Sequence, residues 1–233
     1  MIPALLGAAL LLMPVQSAPG SPPWTPRALS PFDIAKAEWL LGNRLPCLGC
    51  HELGGEGGRI GSSLSALRGQ RAPDYVYAMI RDPSGAIMPR VPMSAATLDL
   101  IASYLVQREP TPARSTRDRS PAPDQANLST SDSAASLYLQ HCAACHGVKG
   151  RGDGYNAASL PVRPTAHADK AYMSRRSDDA LFDAIYSGGY IMNRSNRMPP
   201  FGQILTRGQI RSLVRYLRTL CACEGPVWSR DSR

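Results

Sequence analysis

Two pentapeptides, Cys47-Leu48-Gly49-Cys50-His51 and Cys142-Ala143-Ala144-Cys145-His146, repeat the order C-x-x-C-H in one chain. Cysteines three positions apart stand about one helical turn from each other, so both sulfurs of a pair can reach one flat ligand. The spacing is that of covalent c-type haem attachment: each thiol joins a vinyl group and the adjacent His ligates the iron from the proximal side. Cys47, Cys50, Cys142 and Cys145 thus become thioether sulfurs, His51 and His146 become iron ligands, and two covalently bound haems are implied. C-x-x-C pairs also bind zinc, on separate lobes or joined across them. A His directly behind the second Cys crowds such a tetrahedral site.

The elements that must hold these motifs repeat as well. Ser30-Pro31-Phe32-Asp33 sets a cap, a Pro at the first helical position and an acid at the third, and predicts a helix through Leu41. A middle helix is expected from Pro73 to Arg81, stopped by Asp82-Pro83. A last one starts at Ser94, with Leu98, Ile101, Ala102 and Leu105 on one face. In the second half, Ser133 to Gln140 reads as a short helix. Ser177 caps another that ends at Gly188-Gly189, and Thr206 with Gln209 forms a capping box before Ile210, Leu213, Val214 and Leu217. No strand alternation stands out. The fold class expected is all-α, in two small domains.

Pro, Ser, Thr and Arg crowd the stretch 109–132, which has no apolar period and predicts an extended linker. The organisation expected is a signal peptide at 1–17, a tether at 18–30, a first domain at 31–108, the linker at 109–132, a second domain at 133–220 and a tail at 221–233. The apolar run Ile2–Met13 has the length of a signal-peptide core and is too short to span a bilayer. Val15 and Ser17 suit a cleavage site, so export to the periplasm, with cleavage near Ser17/Ala18, is expected. The leader carries no Lys or Arg before that run.

With these motifs in place the chain resembles the class I cytochrome c family, over both halves. That family has an N-terminal helix ending at C-x-x-C-H, a Gly-rich loop, and a Met-Pro before a C-terminal helix ending in Tyr-Leu. Here Met88-Pro89 precedes Tyr104-Leu105, and Met198-Pro199-Pro200-Phe201 precedes Tyr216-Leu217. The resemblance implies two class I cytochrome c-like domains, each of a few helices around one haem, with Met88 and Met198 as distal iron ligands. Met93 competes with Met88; Met192, Met173 and His167 compete with Met198. The family often has a Pro whose carbonyl accepts a hydrogen bond from the proximal His. Pro164 fits best in the second domain, with Pro161 next, and Ser62 takes that place in the first. Arg59 and Arg163 are able to neutralise haem propionates, or are simply exposed.

His141 is expected to be exposed or to cap its helix, and Tyr75, Tyr77 and Met79 to line core or haem pocket. Cys221-Ala222-Cys223 leave an intrachain disulfide, a bond to a partner, or reduced thiols open. His/Met ligation fills all six positions on the iron and raises its potential. That suits a carrier of single electrons rather than an enzyme. The expected role is a periplasmic dihaem carrier in a respiratory chain, or else the cytochrome subunit of a periplasmic dehydrogenase or terminal-reductase complex. A dihaem peroxidase is the remote alternative.

The net charge of +8 is uneven. Residues 31–108 hold eight Lys+Arg and seven Asp+Glu (8 − 7 = +1), and residues 133–220 hold twelve and five (12 − 5 = +7). The second domain is thus expected to dock an acidic face of a redox partner. Nucleic acid is not an expected partner of an exported chain, and any membrane association would be peripheral, through a membrane-bound partner.

Overall fold

The computed structural model describes residues 24–83, 88–111 and 133–229. The expected signal peptide, the start of the tether, nearly all of the linker and the last residues of the tail lie outside the described residues. Among the described residues, no helix is long and apolar enough to cross a membrane.

The first domain is built on two crossing helices. Ser30 Oγ accepts the Asp33 N–H (3.2 Å) while the Asp33 carboxylate accepts the Ser30 N–H (3.0 Å), and Pro31 supplies a preset φ at the first position of α1, Pro31–Asn43. This helix buries Ala37 and Leu41 against Leu100, Ile101, Tyr104 and Leu105 of α4, Ala95–Gln107, which Ser94 caps. Between them come α2, Cys47–Cys50, and α3, Pro73–Arg81, which packs along α4. The one departure from all-helical structure follows α2. Strands β1, Glu52–Leu53, and β2, Glu56–Gly57, pair antiparallel with Glu52 opposite Gly57. Gly54 and Gly55 turn the hairpin with φ of 61° and 89°, left-handed values that glycine adopts at little cost. Two-residue strands are too short to leave an alternating pattern in the sequence.

The second domain repeats the plan with more helices. α5, Ala134–His141, is capped by Ser133 and runs into α6, Ala143–His146. A 3-10 turn at Ala157–Ser159, α7 at Lys170–Met173 and α8 at Asp178–Ser187 lead to α9, Arg207–Cys221. The Thr206–Gln209 capping box is present at the start of α9. Leu137 and Tyr138 of α5, Ile185 of α8, and Ile210, Leu213 and Leu217 of α9 form the core. Met173 is fully buried in it.

At the ends, one expectation changes and one open choice is closed. Residues 24–30 are fastened to the first domain rather than free. Trp24 stacks on Tyr77 (4.7 Å between centroids) and donates to Asp99 (2.9 Å), and Arg27 pairs with Asp33 and Asp99. A half-buried indole stacked on a helical Tyr and hydrogen-bonded to Asp99 offsets the chain entropy that Pro and Ser suggested. At the other end, Cys221 and Cys223 form an intrachain disulfide, with Ala222 between them at a φ of 45°.

Candidate haem-binding sites

Each C-x-x-C-H occupies a short helical turn that sends the chain back under its own histidine. In the first domain the Gly61 N–H donates to the Cys50 carbonyl (2.8 Å), bringing the following loop beneath the ring of His51. There His51 Nδ1 donates to the Ser62 carbonyl (2.7 Å). In the second domain His146 Nδ1 donates to a carbonyl at 2.9 Å, and that carbonyl belongs to Thr165. Pro164, one residue earlier, instead packs its carbonyl against Gly152, where a Cβ would collide with it. The departure from Pro164 has a simple cause: Gly152 N–H bonds the His146 carbonyl (2.8 Å) and draws the loop round by one residue. With Nδ1 so engaged, Nε2 is the ring atom left to ligate iron, and the ring plane is set by the loop.

Burial raises all four thiols above their ordinary values. It pushes the Cys47 thiol up to about 11 and the Cys142 thiol up to about 12. Cys50 also rises to about 12, from burial first and then from the nearby Cys145 and Cys47. Cys145 is raised by burial too. The His146 imidazole is held below its ordinary value by burial, opposed by its bond to Thr165, so it is neutral and able to bind metal.

The distal candidates separate by what they touch. Met93 packs against the first core cluster, whereas Met88 is half-buried and outside that cluster, ahead of a buried Pro89. Met173 is a core residue whose carbonyl accepts from Arg218 (2.9 Å). Met198 is half-buried at the edge of the second core, and Met192 is half-buried away from it. His167 stacks on His146, with centroids 4.0 Å apart and planes 13° apart. It is thus stacked beside His146 rather than set opposite it, which does not suit a ligand that would have to face an iron from the other side. The Tyr138 hydroxyl holds it there (3.1 Å to Nδ1), and burial, then His146, keeps it well below the ordinary His value.

Other sequence expectations fall out differently. His141 is half-buried, edge-on to Phe201, and its Nδ1 is buried without a hydrogen-bond partner. Tyr75 is exposed, while Tyr77 carries Trp24. Arg163 Nε donates to the Gly152 carbonyl (3.3 Å), bracing the loop that serves His146.

The residues fit haem. Gly61 lies so close beneath His51 that a Cβ would strike its ring, so the loop has been cleared for the imidazole. Among the described residues, no three His, Cys, Asp or Glu side chains stand together as a metal cage. The described donors are arranged as two thiol pairs, each followed by one His.

The family profile described as "Cytochrome c" matches residues 131–221, and "Cytochrome C oxidase, cbb3-type, subunit III" matches residues 43–105. Among solved structures, the KustC0563 c-type cytochrome is 28% identical, covering 38% of this chain and 96% of its own, with a TM-score of 0.32. The Kuenenia stuttgartiensis reducing HAO-like protein complex Kustc0457/Kustc0458 is 19% identical, covering 64% of this chain and 72% of its own, also at 0.32. No curated protein matches the chain.

Proposed function

For a chain that belongs to the class I c-type cytochromes, with two cytochrome c domains and an electron-transfer role, we propose that it is a dihaem carrier that moves single electrons between protein partners in the periplasm. The single observation that carries this reading is the repeated arrangement of two thiols and a histidine whose Nδ1 is fixed by a loop carbonyl. Each haem, when bound, supplies a one-electron ferric/ferrous couple.

The protein's own residues do the rest. Cys47 and Cys50 hold the first haem and Cys142 and Cys145 the second. His51 and His146 would each supply an imidazole to an iron, their rings oriented by the Ser62 and Thr165 carbonyls. Met88 and Met198 would supply the thioethers that complete the ligand set and favour the ferrous state. The leader at 1–17 exports the chain, which also gives the haem-attachment reaction access to its thiols.

Docking falls to the second domain. Arg207, Arg211 and Arg215 lie exposed along one side of α9, four residues apart. Such a row attracts an acidic partner and raises the encounter rate, an effect that salt weakens. A pyridine haemochrome assay on protein expressed with the attachment machinery should give two haems per chain. Redox titration should then show two reversible one-electron couples. A chain free of haem would refute the proposal.

A further inference from the structure

The two domains meet through the attachment motifs themselves. Asn156, on the loop after the second C-x-x-C-H, has no solvent exposure. Its backbone N–H donates to Ala144 within the second motif (2.9 Å). Its Nδ2 donates to the Gly49 carbonyl within the first motif (2.9 Å) and to Cys145 Sγ (3.2 Å), and its Oδ1 accepts the Arg59 N–H of the first domain (2.7 Å). One side chain thus contacts both motifs and the Gly-rich loop of the first domain.

A second clasp lies beside it, on the residues just before Met198. Asn196 Nδ2 donates to the Leu45 carbonyl (3.0 Å) and the Gly42 carbonyl (3.4 Å), and Arg197 donates to the Leu41 carbonyl (3.3 Å). Arg44 of the first domain lies over the ring of Tyr190 (4.2 Å). Gly49 faces the Arg197 carbonyl so closely that a Cβ there would collide with it. The domains are therefore docked by hydrogen bonds between groups removed from water, which cost more to break than exposed ones.

We propose that Asn156 is a positioning residue that locks the two attachment motifs edge to edge, so that electrons cross between the domains at Cys50 and Cys145. This rests on the haem reading above. The path runs from Cys145 Sγ to Asn156 Nδ2, then to the Gly49 carbonyl, through the peptide bond to Cys50 and along that side chain to its sulfur. In the crossing one iron goes from ferrous to ferric and the other from ferric to ferrous; no bond breaks and no proton moves. The Nδ2–H donor also draws electron density from the Cys145 sulfur, which favours the reduced state of the second haem.

The test uses the full holoprotein and Asn156→Leu, which keeps the volume and removes every side-chain hydrogen bond. Haem content is measured first: two haems per chain keep the cytochrome reading intact whatever follows. In wild type, small-angle scattering should show one compact particle, and redox titration should show each couple shifted by the oxidation state of the other. Asn156→Leu should expand the particle, lower the potential of the second haem and slow flash-induced equilibration between the haems at least tenfold. Asn196→Ala with Tyr190→Ala should expand the particle with the Cys145 hydrogen bond untouched. That pair still tests the docking if Asn156→Leu does not mature. A dumbbell-shaped wild type, or an Asn156→Leu protein with unchanged potentials and equilibration, would overturn the proposal.

Discussion

Replacing Gly61 by Ala puts one methyl group against the ring that each description of the first site depends on. A Cβ at this position meets Cε1, Nδ1 and Nε2 of His51, with Nε2 at 2.9 Å and the other two nearer. Ordinary carbon–nitrogen contact begins near about 3.4 Å, so the ring or the loop must give by roughly half an ångström or more. Either movement works against the 2.7 Å bond from Nδ1 to the Ser62 carbonyl. Loss of that bond is worth about 1 kcal/mol net, and overpacking adds about 1–3 kcal/mol. The expected destabilisation is thus about 2–4 kcal/mol. It should come with a changed Soret band or a shifted first-domain potential, because the ring proposed to ligate iron has turned. Gly42→Ala is the matched control. It lies in α1 with nothing within 4 Å of the new Cβ, so it should stabilise by about 0.5–1 kcal/mol and leave the spectrum alone. Denaturant titration of the two variants, followed by absorbance and by far-UV dichroism, compares them directly. A Gly61→Ala protein as stable as Gly42→Ala, with a native haem spectrum, would refute the packing argument.

Other outcomes follow from the same geometry. Met198→Ala should abolish the near-infrared Met–iron charge-transfer band of one haem, and Met88→Ala that of the other; Met93→Ala should keep both bands and lose roughly 1–2 kcal/mol of packing, read by denaturation. Burial raises the Glu52 carboxyl, but bonds from Ser63, the Gly55 N–H (2.5 Å) and Ser65 (3.0 Å) outweigh it and leave the pKa lowered. Its stabilisation is therefore complete above the unfolded value of about 4.3 and fades as pH falls through the native one. Glu52→Gln should cost about 1–3 kcal/mol at pH 7, and the gap to wild type should narrow in acid. Reversing Arg207, Arg211 and Arg215 to Glu should slow electron exchange with an acidic partner at low salt by tenfold or more, and rising ionic strength should shrink the difference.

Local order was legible because it is written in local signals. Ser30, Ser94, Ser133, Ser177 and Thr206 all cap the helices their positions imply, and α3 spans the Pro73–Arg81 range that its flanking prolines mark. The two C-x-x-C-H motifs stand out by spacing alone, and each places its His against a loop carbonyl. The errors arise where a side chain some distance away decides. Nothing near Trp24 in the sequence indicates Tyr77 and Asp99, which come to it only once α3 and α4 have packed. His167 reads as a possible ligand until Tyr138, buried in a different helix, holds it behind His146. The choice of Thr165 over Pro164 is a one-residue matter, settled by where Gly152 anchors the loop.

The interface between the domains left no periodic trace, yet it reaches into the positions a motif treats as free. In the first motif Leu48 and Gly49 stand between the cysteines, and in the second Ala143 and Ala144. Gly49 offers its carbonyl to Asn156 and its bare Cα to the Arg197 carbonyl, so any side chain there would part the domains. Ala144 accepts the Asn156 N–H, and Gly154 passes so close to the Ala143 and Ala144 carbonyls that a Cβ would collide with both. Haem attachment requires only the two cysteines and the histidine. Ala144 and Gly154 serve the turn of the second motif itself, whereas Gly49 answers to a different demand: backbone of one domain must approach the other where Cys50 and Cys145 come near each other. A carrier of two independent haems on a flexible linker would have no use for that approach, because each domain could meet its partner alone. A carrier in which one electron passes from domain to domain needs it, since tunnelling falls steeply with distance and a buried asparagine can hold the gap constant.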